Sequence, residues 1–123
     1  MISPDVYMEA WQASPLALIA LDTSGKVESA NPASERILAK KLEALLGMQL
    51  VAFAHKLDRG ALQSMLDEAS AGRTPGRQEI RFLSPSNEDQ VTGFSAAPMI
   101  GGDGRVICVL RDLSKEKAFR PQL

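Results

Sequence analysis

The chain has 123 residues, 45% of them apolar and 24% charged, the balance of one ordinary globular domain able to close a single hydrophobic core. These values exclude disordered and fibrous classes. Fourteen basic residues against fifteen acidic ones leave a net charge of -1 with the signs interspersed, so no basic stripe exists to neutralise phosphates and nucleic acid is not expected as a partner.

Pro4 to Trp11 is predicted to form a short amphipathic helix, because Val6, Tyr7, Ala10 and Trp11 recur at helical spacing. This N-terminal stretch lacks the basic start and long apolar run of a signal peptide. Ser14-Pro15 ends the helix. Leu16 to Leu21, "LALIAL", is apolar at every position and too short for a good helix. It is therefore expected to be a strand covered on both faces. It is the longest unbroken apolar run and falls far short of the ~20 residues of a membrane span, so no membrane insertion is expected. Asp22 to Lys26 is a turn with Gly25 free to take positive φ, and Val27 to Ala30 returns as the second strand of a hairpin.

Asn31-Pro32 then stops that strand and starts a helix on the same two residues. Asn31 suits the N-cap, where its side chain accepts a backbone N–H of the first turn. Pro32 suits the first helical position, where its missing N–H costs nothing. Glu35 is well placed against the positive end of the helix dipole, and Ile37 and Leu38 supply the buried face. A second short helix, "KKLEALLG", is closed by Gly47. "MQLVAFAHKL" reads as a turn of helix and a connector. Asp58 is expected to cap the longest helix, in which Leu62, Met65, Leu66 and Ala69 follow helical spacing until Gly72 ends it. Strands are predicted at Gln78 to Leu83, Gln90 to Ile100 and Arg105 to Asp112. They are separated by the turn "SPSNED" and by "GGDG", a strong hairpin signal.

Three stretches in this order resemble the PAS family. "LALIALDTSGKVESANPASERIL" resembles its opening hairpin, with an apolar strand, Asp, a Gly turn, a strand and then Asn-Pro-Ala before a helix. "LEALLGMQL" resembles its second helix and exit. "GRVICVLRDLS" resembles its last strand, with Asp112-Leu113-Ser114 in place of the closing Asp-Ile-Thr. The resemblance spans about Pro15 to Ser114. It implies an α+β fold, a five-stranded antiparallel sheet in the order 2-1-5-4-3 with short helices over one face. Residues 1–14 would then be an N-terminal flanking helix, 15–114 the PAS domain, and 115–123 the start of a linker to an output domain in a longer parent, most often a sensor histidine kinase.

The resemblance also places a candidate ligand pocket between helices and sheet, lined by Ile19, Leu21, Ile37, Leu38, Met48, Leu62, Met65, Leu66, Phe94 and Cys108. Met48, Met65 and Met99 are adaptable pocket liners or ordinary core fillers. Bulky apolar residues dominate this region and polar anchors are few, which weighs against flavin or haem and favours no cofactor. His55 is the only histidine and so the only haem-ligand candidate of its kind. It stands in "HKLDR", where many PAS domains have His-Pro-x-Asp, and a hydrogen-bonded connector role is favoured. Cys108 cannot form an internal disulfide, which points to a reducing cytoplasm. The Asn-Cys-Arg-Phe-Leu helix word of LOV-type flavin photoreceptors is missing, and Cys108 alternates with Val106 and Leu110 on one strand face. A buried core role is therefore favoured.

No Ser/His/Asp arrangement with a supporting elbow, no metal-ligand cluster and no phosphate-binding Gly loop before a helix occurs, so the chain is not expected to be an enzyme by itself. Val6, Tyr7, Ala10 and Trp11 are the candidate homodimer interface, covering the outer sheet face. Asp112, Leu113 and Ser114 are the candidate signal exit toward a C-terminal output domain, with Ser114 as an N-cap and Pro121 shortening or kinking any helix that follows. Two functional readings follow: a ligand-free dimerising relay, which is preferred, and a sensor holding a small molecule or cofactor (flavin, haem or a metabolite) in the interior.

Overall fold

The structure is a computed structural model and describes residues 4–84, 89–101 and 103–113. Helix α1 spans Pro4–Ala13, two residues beyond its predicted end. Strands β1 (Ala17–Leu21) and β2 (Val27–Ala30) form the first hairpin. Helices α2 (Pro32–Leu38), α3 (Leu42–Leu45) and α4 (Arg59–Ser70) follow, with two short 3-10 turns at Leu50–Phe53 and Lys56–Asp58 between α3 and α4. Strands β3 (Gln78–Phe82), β4 (Gln90–Pro98) and β5 (Val106–Asp112) complete the fold. The expected turn at residues 84–89 and the "GGDG" hairpin fall partly, and Ser114, the 115–123 linker and Pro121 wholly, outside the described residues.

The strands form one antiparallel sheet in the order β2-β1-β5-β4-β3. The last strand therefore lies in the middle, flanked by the first strand and by β4. Its register places Ile19 beside Cys108 and Cys108 beside Ala96. Because side chains alternate between faces, Ala17, Ile19 and Leu21 on β1, Phe94 and Ala96 on β4, and Val106, Cys108 and Leu110 on β5 all point to one side. There they meet Ile37 and Leu38 of α2, Leu45 of α3, and Leu62, Met65, Leu66 and Ala69 of α4 in one buried cluster. Phe82 and Phe94 pack with ring centroids 6.3 Å apart, a favourable tilted separation for aromatic pairs.

The turns follow the local chemistry. In the first hairpin, Gly25 adopts φ +84°, the left-handed conformation that only glycine takes at little cost. The Asp22 carboxylate accepts the backbone N–H groups of Ser24 and Lys26 and the Ser24 hydroxyl. Those bonds, the one from Lys26 first, hold its carboxyl below the usual range. At the end of α4, the Gly72 N–H bonds the Ala69 carbonyl and the Arg73 N–H that of Glu68, the paired closure that a left-handed glycine permits.

Irregular chain covers part of each edge of the sheet. Beside β2, the Val27 N–H bonds the Met48 carbonyl and the Gly47 N–H bonds the Val27 carbonyl. Beside β3, the His55 N–H bonds the Arg81 carbonyl and the Leu83 N–H bonds the Phe53 carbonyl. The Arg81 N–H, which faces away from β4, bonds the Asp58 carboxylate. Unpaired strand edges invite another chain; here part of each edge is capped from within.

Candidate functional site

Nine of the ten residues expected to line an interior pocket, Ile19, Leu21, Ile37, Leu38, Leu62, Met65, Leu66, Phe94 and Cys108, belong to the buried cluster and pack directly on one another. Met48 does not join them. It is 47% exposed, because its backbone pairs with the β2 edge and turns its side chain away from the core. Met99 lies on the opposite side of the sheet, in the wall of an outer groove. Cys108 is fully buried between its neighbours on β1 and β4, and burial pushes its thiol pKa well above the ordinary value.

His55 is tied into the connector. Its Nδ1 accepts the Leu57 N–H at 3.1 Å, capping the short turn that follows, and its Nε2 stands 3.9 Å from a carboxylate oxygen of Asp89. Asp58 departs from expectation. It sits at the start of α4 but makes no side-chain cap there. Its carboxylate instead grips Arg81 on β3, accepting the backbone N–H at 2.8 Å and the guanidinium Nε and Nη2 at 2.9 Å each. A planar guanidinium matches a carboxylate two atoms to two, and this geometry satisfies the carboxylate better than a single helix N–H would. The Arg81 guanidinium holds the Asp58 carboxyl below its usual range.

The expected N-cap at Asn31 is present, its Oδ1 accepting the Ser34 N–H, with Pro32 opening α2. The same oxygen also accepts the Leu18 N–H at 2.9 Å and the Ser34 hydroxyl at 2.9 Å. The amide nitrogen donates to the carbonyls of Leu16 at 2.9 Å and Trp11 at 3.0 Å. One buried carboxamide therefore joins the end of α1, the start of β1 and the start of α2. Sequence reasoning found the cap and missed the link to α1, since nothing in local spacing signals a partner twenty residues upstream.

The outer face of the sheet is the open one. Val6, Tyr7 and Met8 on α1 are 50%, 63% and 60% exposed, Ala10 is exposed, and Trp11 is half-buried. Tyr7, Met8 and Trp11 form one wall of a groove of about 490 Å3 whose other surfaces are Ala20, Ser29, Met99, Arg105 and Ile107. Arg105 is held at the rim by Glu28 across the sheet. Of the residues expected at the exit, Asp112 ends β5 opposite Thr92, and Leu113 is buried, its N–H bonded to the Val91 carbonyl. Among the described residues no group of three His, Cys, Asp or Glu side chains is placed to hold a metal ion, and no helix is long and apolar enough to cross a membrane.

The PAS fold family profile matches residues 11–118. No curated protein sequence matches the chain. Among solved structures, the PAS domain of a protein from Colwellia psychrerythraea superposes with a TM-score of 0.79 at 18% identity, covering 90% of this chain and 97% of its own. A domain of a sensory box sensor histidine kinase/response regulator from Geobacter sulfurreducens does so at 0.76 and 18%, covering 88% and 92%. A LOV protein from Rhodobacter sphaeroides does so at 0.75 and 17%, covering 95% and 72%. At these identities the superpositions speak to fold.

Proposed function

This chain belongs to the PAS family, and from that premise we propose that this signalling domain is a dimerising relay. A second copy packs on α1 and the outer sheet face, and the signal leaves through β5 toward a C-terminal output domain, a histidine kinase by analogy with the Geobacter sulfurreducens neighbour. The observation that carries the reading is the position of the exposed apolar surface. A ten-residue helix is marginal in water unless its apolar side is covered, yet α1 leaves Val6, Tyr7 and Met8 open beside an uncovered groove. Patches of this kind mark association surfaces.

The route inward is short. Asn31 ties the Trp11 carbonyl of α1 to β1, and β1 pairs along its whole length with β5. A change in how α1 packs is thus felt one strand away, at the exit, and two packings of α1 would favour two positions of Asp112 and Leu113. The close packing of the nine interior residues supports the ligand-free form of this reading over a flavin, haem or metabolite sensor.

Light scattering of the purified protein, paired with a UV-visible spectrum and native mass spectrometry, tests both parts. The expected result is a dimer at micromolar concentration, without visible absorbance and at the apoprotein mass. A strict monomer at high concentration would overturn the dimer. A visible band or added mass would replace the relay by the cofactor sensor.

A further inference from the structure

Val27 of β2 and Arg81 of β3 are already bonded on their outer sides by the protein's own chain, so the sheet edges offer a partner strand little room and the outer face is the larger surface open to a second copy. That face carries unpaired charge of opposite sign in two places. On α1, Asp5 and Glu9 stand four residues apart on the exposed helix surface, and neither makes an ion pair among the described residues. Further along the sheet, Arg77 reaches over Gly93 of β4 with the Nε and Nη2 edge of its guanidinium. A Cβ at residue 93 would stand 2.7 Å from Nη2 and 2.9 Å from Nε of that guanidinium, closer than real Cβ contacts come. Glycine therefore provides a seat, and a seated guanidinium surrenders less freedom on binding than a free one. Arg77, too, has no ion pair among the described residues, and it borders a cleft of about 240 Å3 with Leu16 and Val109.

The two charged places lie toward opposite ends of the strands. Tyr7 and Met8, next to the acids, share their groove with Ile107 of β5, whereas Gly93 pairs with Arg111, four residues on, about 13 Å at strand rise. A two-fold axis lying in the interface, parallel to the sheet plane and across its strands, exchanges these ends while it brings the two outer faces together. We propose that Arg77, held on its Gly93 seat, is the electrostatic contact for the Asp5 and Glu9 edge of a second copy's α1, so that the two copies pack face to face with antiparallel strands. The inference rests on the homodimer reading above and adds its orientation and charge register.

A dilution series by light scattering or sedimentation measures the dimer dissociation constant. Arg77→Glu, at an exposed position, is expected to weaken dimerisation at least about tenfold, since it puts like charges together twice in a two-fold interface. Glu9→Arg is expected to weaken it similarly, and the combined variant to recover most of the loss. Gly93→Ala is expected to weaken the dimer by displacing the guanidinium while the circular dichroism melt at monomer concentrations does not fall, a result that a merely structural glycine would not give. If the native chain dimerises and either Arg77→Glu or Gly93→Ala dimerises equally well, the seat is overturned and the dimer stands. If the native chain is monomeric throughout, both fall together.

Discussion

Asn31 makes more of its carboxamide than a helix cap requires. Three acceptor contacts and two donor contacts, all to groups in or near the core, satisfy a fully buried polar side chain that would otherwise be costly. Truncation to alanine removes the cap, leaves the Leu18 N–H and the Trp11 carbonyl without their partner, and leaves the Leu16 carbonyl with the Ser14 hydroxyl alone. Asn31→Ala should therefore lose about 2–4 kcal/mol of unfolding free energy in urea. Asn31→Asp keeps the acceptor oxygen and loses only the donors, so its α1 amides should exchange with solvent faster than those of β5. Equal acceleration across the sheet would show that the residue serves overall stability and not the attachment of α1. At the other end of α2, Ala39 sits at φ 54°, ψ 42°, a left-handed position disfavoured for a residue with a Cβ. Ala39→Gly should stabilise by about 0.5–1 kcal/mol, after allowing for the extra freedom glycine gives the unfolded chain. A lower denaturant midpoint for this variant would contradict that account. At this scale the sequence reveals what is local. Asn31-Pro32 announces a cap through residue type, but its reach to Trp11 depends on where α1 docks, and Asp58 looks like a cap until a strand more than twenty residues later offers a better partner.

Among the elements, β3 depends most on a single polar contact. It is an edge strand whose outer side is covered by the 53–58 segment, and Asp58 fastens the two through the backbone and side chain of Arg81. The Asp58 carboxyl titrates below its ordinary value. A group with a depressed folded pKa contributes stability that is fully present above the unfolded value and is lost as pH falls through the folded one. The urea midpoint should therefore fall as pH drops below about 4, and Asp58→Asn should lower it at neutral pH while flattening that acid limb. Asp22, also held below its usual range, would leave a residual slope in the variant. An Asp58→Asn protein with the native acid limb would show that the pairing does little for β3. The strands were legible from apolar runs and turn residues because alternation and punctuation are properties of neighbours in the chain. The edge cover was not. "MQLVAFAHKL" has no period of its own, and it runs beside both sheet edges through backbone bonds that any sequence can make.

For the whole molecule, the proposed relay rests on the division of labour between the two sheet faces. Apolar residues on both sides of "LALIAL" already implied two covers, and the order 2-1-5-4-3 explains why: β1 is an interior strand, beside the central β5. Which cover is complete is not written in such runs. Core packing and pocket lining use the same side chains, so Ile19, Leu62 and Phe94 read alike in either role, while Met48 is displaced by a backbone pairing that its residue type does not advertise. The two faces should separate experimentally. Phe94 is fully buried against Phe82, and Phe94→Ala should cost about 3–5 kcal/mol of unfolding free energy while leaving the dimer constant nearly unchanged under conditions where the variant stays folded. Tyr7→Ser combined with Met8→Asp replaces two side chains that are more than half exposed. It should change the stability of the monomer by less than about 0.5 kcal/mol yet abolish dimerisation at micromolar concentration, because it places a charge and a gap in the centre of the apolar surface. Chemical denaturation and light scattering on the two proteins read these quantities independently. If the double variant still dimerises, the outer face is not the contact, and exposed α1 must owe its helix to Asn31 alone.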